Sequence, residues 1–201
     1  MNNKTHWETV YETKSPDQVS WTQDMPKTSL DFIASFNLPK HAKIIDVGGG
    51  DSKLVDFLLR EGYENITVLD ISANALERAR LRLGSSAEQV TWIVSDILEF
   101  EPNTTYDVWH DRAAFHFLTT PEQISAYMAT AQKCVDSYMV LGTFSMNGPL
   151  KCSGLNIRQY SEETLAGTLE GFEKLQCITE DHTTPFDTVQ NFLFCSFKRL
   201  Y

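Results

Sequence analysis

Short apolar runs alternate along the chain with stretches whose hydrophobic residues recur at helical spacing. "KIIDV" (43–47) reads as a buried strand, and Leu54, Val55, Leu58 and Leu59 after it form one face of a helix that stops near Gly62. "NITVLD" (65–70) is a second strand, followed by "SANALERARLRLG" with Ser72 as N-cap and Gly84 as the stop. "QVTWIVSD" (89–96) and "YDVWHD" (106–111) are the third and fourth strands. Thr120, Pro121 and Gln123 open a helix with cap, first-turn proline and capping-box partner in sequence. "SYMVLGTFS" (137–145) is a fifth strand, and "SEETLAGTLEG" a helix with acids in its first turn. "FEKLQCITEDH" and "QNFLFCSFKR" then follow with no helix between them, so they pair antiparallel. Regular strand–helix alternation predicts an α/β fold: a doubly wound, mostly parallel sheet with right-handed crossovers and helices on both faces.

The 201 residues, 42% hydrophobic and 22% charged, suit one globular domain over 1–201. A net charge of −10 repels phosphate backbones and anionic membrane surfaces, so neither nucleic acid nor membrane is an expected partner. The leading "MNNKTHWETV" lacks the apolar core of a signal peptide, and no run of apolar residues is long enough to span a bilayer, which predicts a cytoplasmic protein. Cys134, Cys152, Cys177 and Cys195 have no C-x-x-C pair, and buried reduced thiols are the expectation for all four.

The stretch "KIIDVGGGDSKL" places three glycines where the first strand hands over to the first helix, beside the switch point at which open α/β sheets bind ligands. Glycine there lets backbone approach a ligand and reach positive φ. A dinucleotide fingerprint counted from Gly48 and Gly50 fails because Lys53 stands where its third glycine belongs, and no G-K-[ST] follows to make a phosphate loop.

These residues resemble the class I S-adenosylmethionine-dependent methyltransferases, whose first strand ends in acid-x-Gly-x-Gly, here Asp46 to Gly50 through Gly48 and Gly49. The glycine that often follows two residues later is Ser52. The resemblance implies that Asp70, ending the second strand and followed by Ile71, holds the ribose hydroxyls, and that Asp96 with Ile97 faces the adenine. It covers 44–199 and implies a Rossmann-like core (43–199) with strand order 3-2-1-4-5-7-6 and an antiparallel strand 7. S-adenosyl-L-methionine is the implied cofactor, S-adenosyl-L-homocysteine the product, and no metal is implied, since the Asp-Asn pair of the magnesium-dependent catechol group is missing. "WHDRAAFHFLTTPEQ" is similar to a stretch of the thiopurine-type and small protein-lysine methyltransferases, and the leading aromatic segment (1–36) is similar to their helical lid, with Trp7, Tyr11 and Trp21 as candidates to cover the cofactor. The Asn/Asp-Pro-Pro-Tyr/Phe tetrapeptide of enzymes acting on nucleobase or glutamine amines is missing.

Methyl displacement from a sulfonium needs an acceptor held in line, deprotonated and shielded from water. Asp111, Arg112 and His116 are the catalytic candidates, and His110 joins the cofactor set. Arg112, Arg158 and His182 are candidates to bind substrate, Arg112 either gripping an anionic group or tying its strand to Asp111 or Glu122. The loop "MNGPLKCSGLN" has the composition and length of a substrate flap. The expected activity is methyl transfer to a small-molecule thiol, amine or other polar acceptor. A protein lysine acceptor is the alternative, and a non-catalytic cofactor-binding module the reading from another class.

Overall fold

The computed structural model describes residues 3–200; Met1 and Asn2 of the expected lid, and Tyr201, lie outside the described residues. Seven strands form one sheet: β1 (Lys43–Val47), β2 (Asn65–Asp70), β3 (Val90–Val94), β4 (Tyr106–Arg112), β5 (Val135–Phe144), β6 (Phe172–Thr183) and β7 (Val189–Arg199). Their order is β3-β2-β1-β4-β5-β7-β6, as the methyltransferase resemblance implies. The first five are parallel, and β7 runs antiparallel to both β5 and β6.

Side chains alternate across each strand, and the two layers of helix sort accordingly. Ile45, Val47 and Trp109 point to the face covered by α5 (Pro121–Cys134), where Ile124, Tyr127 and Met128 complete a continuous core. Ile44, Val68 and Val108 point to the opposite face, against α2 (Lys27–Ser35) and α3 (Leu54–Arg60) through Leu30, Ile33, Leu54 and Leu58. The α4 helix (Ala73–Leu83) adds Leu76 to that second core, and its Ser72 cap accepts from the Ala75 N–H. Capping at Thr120 likewise follows the predicted pattern, with Gln123 returning the bond.

Three features differ from the sequence reading. The helix expected through "SEETLAGTLEG" is only α6 (Glu162–Ala166), ended at Gly167. The segment expected as a lid divides: α1 (Asn3–Thr13) and the loop after it face the cavity described below, whereas α2 packs into the sheet layer, with Phe32 against Val140 and Phe194. Cys177 and Cys195 are not free thiols; they stand directly opposite each other in the β6–β7 register and form a disulfide. Their pairing depends on strand register, which their spacing of 18 residues does not reveal. Cys134 and Cys152 are free and buried. Among the described residues no helix is long and apolar enough to cross a membrane.

Candidate active site

The carboxyl ends of β1, β2, β3 and β4 open into one cavity. At its floor the Gly48 and Gly49 N–H groups both donate to the Leu69 carbonyl, at 2.7 and 3.2 Å, so the glycine loop turns back over the end of β2. Gly48 (φ +66°) has no room for a side chain, because a Cβ there would stand 2.4 Å from Cβ of Ala114 in the loop after β4. A Cβ on Gly49 would stand 2.5 Å from Asp46 Oδ2. Where the third glycine of the motif is replaced, Ser52 Oγ accepts from the Leu54 N–H at the start of α3, while Arg82 donates to the Asp51 and Ser52 carbonyls and to both oxygens of Asp56. That clamp holds the loop at its far end.

Asp46 and His110 are register partners on neighbouring parallel strands, so their side chains meet on one face. Asp46 Oδ1 lies 2.7 Å from His110 Nδ1, and His110 Nε2 lies 2.8 Å from Ser29 Oγ of α2. With the carboxylate accepting from Nδ1–H, both ring nitrogens are engaged. The three residues form a buried post beneath the loop, and Ser29 had no recognisable signal in the sequence. Asp70 is buried and accepts from the Ser72 N–H at 2.8 Å. Burial pushes its carboxyl up to about 7 against the pull of the Ser72 and Gly50 N–H groups, and Asp46 and Asp51 add to the rise. Ile71, Asp96 and Ile97 line the same wall, with Asp96 Oδ1 also accepting from the Leu98 N–H.

Trp7, Tyr11 and Trp21 meet over the cavity, Trp7 lying 5.6 Å from Trp21 and 5.2 Å from Phe117 between ring centres. What fastens α1 there is Glu8. Its carboxylate accepts from Ser72 Oγ (2.8 Å), Ala73 N (2.9 Å) and Asn74 N (3.1 Å), the first turn of α4, where free N–H groups and the helix dipole favour an anion. Burial alone would raise the Glu8 carboxyl, but those bonds hold it below the usual value. Replacing Glu8 by alanine is expected to release α1, at a cost of about 1 kcal/mol for the lost cap. Trypsin should then cut faster at Lys14; equal cutting in wild type and variant would show that the aromatic contacts alone hold the lid.

Strand β4 separates the remaining candidates. Arg112 lines the cavity, donates from Nη1 to the Trp21 carbonyl at 3.0 Å, and stacks 4.8 Å above the Phe192 ring centre. Burial lowers its guanidinium to about 10, with Glu180, Cys152 and Asp46 opposing. Asp111 points the other way, into the α5 layer. It is fully buried and accepts from the Ala114 and Phe115 N–H groups and from Tyr127 Oη, so it shapes the loop and does not reach the cavity. His116 does not reach it either. Its ring stacks on Phe144 at 4.5 Å, and burial, aided by Arg112, drives its pKa down to about 3. His182 binds the Ser20 carbonyl at 2.7 Å and secures the lid loop to β6, away from the cavity lining. Arg158 sits over Tyr160, also off the cavity, with its backbone N–H on the His116 carbonyl. The expected flap folds as a hairpin, Lys151–Cys152 with Leu155–Asn156, that brings Cys152 to the cavity.

A glycine loop and acids on successive strand ends, on this sheet order, define the class I methyltransferase fold. Residues 44–137 match the protein family described as methyltransferase domain. The chain is 35% identical over 88 residues to malonyl-[acyl-carrier protein] O-methyltransferase of Anoxybacillus flavithermus, covering 43% of this chain and 33% of the relative. It is 24% identical over 119 residues to the eEF1A lysine and N-terminal methyltransferase of Mus musculus, covering 59% of this chain and 17% of that protein. The chain thus spans a third or less of the length of these curated relatives. Its fold matches the crystal structure of N-methyltransferase NodS from Bradyrhizobium japonicum in complex with S-adenosyl-L-homocysteine at a TM-score of 0.74, with 15% identity over 98% of this chain and 99% of the other.

Proposed function

We propose that the protein transfers a methyl group from S-adenosylmethionine to a small-molecule acceptor bearing a thiol, amine or other polar group. The observation that carries this reading is the convergence of Gly48, Gly49, Asp70 and Asp96 on one cavity closed over by α1. S-adenosylmethionine supplies a methyl group already activated on a sulfonium. Asp70 would accept from the ribose hydroxyls, Asp96 and Ile97 would bound the adenine, and the glycines would let backbone lie against the ligand where any Cβ collides. Among the described histidines, the one lining the cavity, His110, is bonded at both nitrogens and has no free nitrogen to take the acceptor's proton. The residues' task is then to position the acceptor and exclude water.

Asp70→Ala should weaken S-adenosylmethionine by about 1.5–3 kcal/mol, the worth of charged hydrogen bonds. Unchanged affinity by calorimetry would refute the cofactor assignment. The similarity to the murine lysine methyltransferase favours a second reading, a protein lysine acceptor. Incubation of the protein with cell extract and methyl-labelled cofactor decides between them: label in the small-molecule fraction supports the first, a labelled protein band the second.

A further inference from the structure

Among the described residues, those that line the cavity carry three buried side-chain nitrogens without a hydrogen-bond partner: Trp21 Nε1, Arg112 Nε and Arg112 Nη2. All three are donors. The Tyr11 hydroxyl approaches the Trp21 indole without reaching hydrogen-bond geometry. Arg112 spends Nη1 on the Trp21 carbonyl, which fixes the plane of the guanidinium and leaves its Nε–Nη2 edge unused. That edge carries two parallel N–H bonds at the spacing of two oxygens on one carbon. No carboxylate of the described residues lies within ion-pair distance of it; Glu180, the nearest acid by its influence, is engaged with Thr28. A buried cation with unmet donors is costly unless an anion completes it. In a chain of net charge −10 no general field draws anions in, so a local arrangement of donors has to do so.

On the methyltransferase reading above, we infer that the acceptor carries a carboxylate, seated on the Nε–Nη2 edge of Arg112 within reach of Trp21 Nε1, with its apolar body against Trp7 and Phe117. Arg112 is thereby a specificity-determining residue: it selects acceptors by their anionic head and takes no part in moving a proton. S-adenosylmethionine also bears a carboxylate, and the test has to separate the two sources.

Protein saturated with S-adenosylhomocysteine, whose own carboxylate is then in place, is titrated with two matched pairs, benzoate against benzamide and octanoate against octanamide, by calorimetry and thermal melting. A carboxylate is expected to bind at least about tenfold more tightly than its amide, a preference that Arg112→Lys removes while S-adenosylhomocysteine affinity stays within about threefold. Equal binding, or equal lack of binding, of acids and amides to the wild type overturns the inference, and this comparison holds even if the variant fails to fold. Loss of S-adenosylhomocysteine affinity in Arg112→Lys with methylthioadenosine affinity unchanged also overturns it, by assigning the arginine to the cofactor's carboxylate. Absence of S-adenosylhomocysteine binding to the wild type is a separate failure, that of the methyltransferase reading.

Discussion

Gly48→Ala is expected to destabilise the protein by about 2–4 kcal/mol and to weaken cofactor binding at least tenfold, a combination of left-handed backbone strain and overpacking. The strain comes from φ +66°, which an L side chain resists, and the crowding from the Ala114 Cβ only 2.4 Å from the position the new methyl takes. Neither atom belongs to a flexible side chain, so relief requires one loop to move away from the other. Ala114 is held in place because its N–H donates to Asp111, and the glycine loop because its N–H groups are bonded to Leu69. A shift in either displaces the floor on which the ligand lies. Gly62→Ala is the control: φ is +88° there, but nothing lies within 4 Å of the added Cβ, so about 1 kcal/mol of strain should appear with cofactor affinity intact. Urea unfolding and calorimetry on both variants check the pair. A Gly48→Ala protein indistinguishable from Gly62→Ala would show that the two loops part easily and that the cradle is not rigid.

That contact illustrates what could and could not be read from the chain. The strands and helices were accessible because each shows itself as a local apolar run or a capped helix, and the alternation points to a doubly wound sheet, whereas the strand order came from the family resemblance. The positions of Asp46, Asp70 and Asp96 were accessible because each is the last or the penultimate residue of a strand run visible in the sequence. Within "WHDRAAFHF" strand parity separates the candidates, His110 and Arg112 facing the cavity and Asp111 facing away from it. Alternation along β4 sends Val108, His110 and Arg112 to the α2 face and Trp109 and Asp111 to the α5 face, so Arg112 enters the cavity and Asp111 enters the core. The pattern was present in "YDVWHDR", yet both faces are apolar in a doubly covered sheet, and hydrophobicity alone does not say which face meets the ligand. Glu8, Ser29 and the Cys177–Cys195 bond depend on contacts between segments 18 to 81 residues apart, for which no local signal exists. These are tertiary facts in the full sense: Glu8 is an ordinary surface acid until α4 presents its first turn.

Stability of the ligand-free protein is expected to fall between pH 4 and pH 8 because of Asp70, and cofactor binding to strengthen over the same window. Burial holds the Asp70 carboxyl at about 7 in the folded chain, against 3.8 when solvated. Between those values the folded protein keeps a proton that the unfolded chain has lost, so the associated stability is complete below about pH 4 and is lost as pH rises through about 7. A shift of that size corresponds to about 4 kcal/mol. Asp111, raised to about 6 by burial, changes stability in the same direction, but it is common to wild type and any Asp70 variant and cancels in the comparison. Asp70→Asn keeps the shape of the side chain and removes the titration, so the variant should gain on the wild type by several kcal/mol from pH 4 to pH 8 in urea unfolding without ligand. Ribose hydroxyls donating to the ionised carboxylate reverse the balance: binding pulls the Asp70 pKa down and releases a proton near neutrality. Calorimetry in buffers of different ionisation enthalpy should detect that proton in the wild type and none in Asp70→Asn. Parallel stability curves for the two proteins, or proton release that survives the substitution, would place the ionised group elsewhere and remove Asp70 from the ribose.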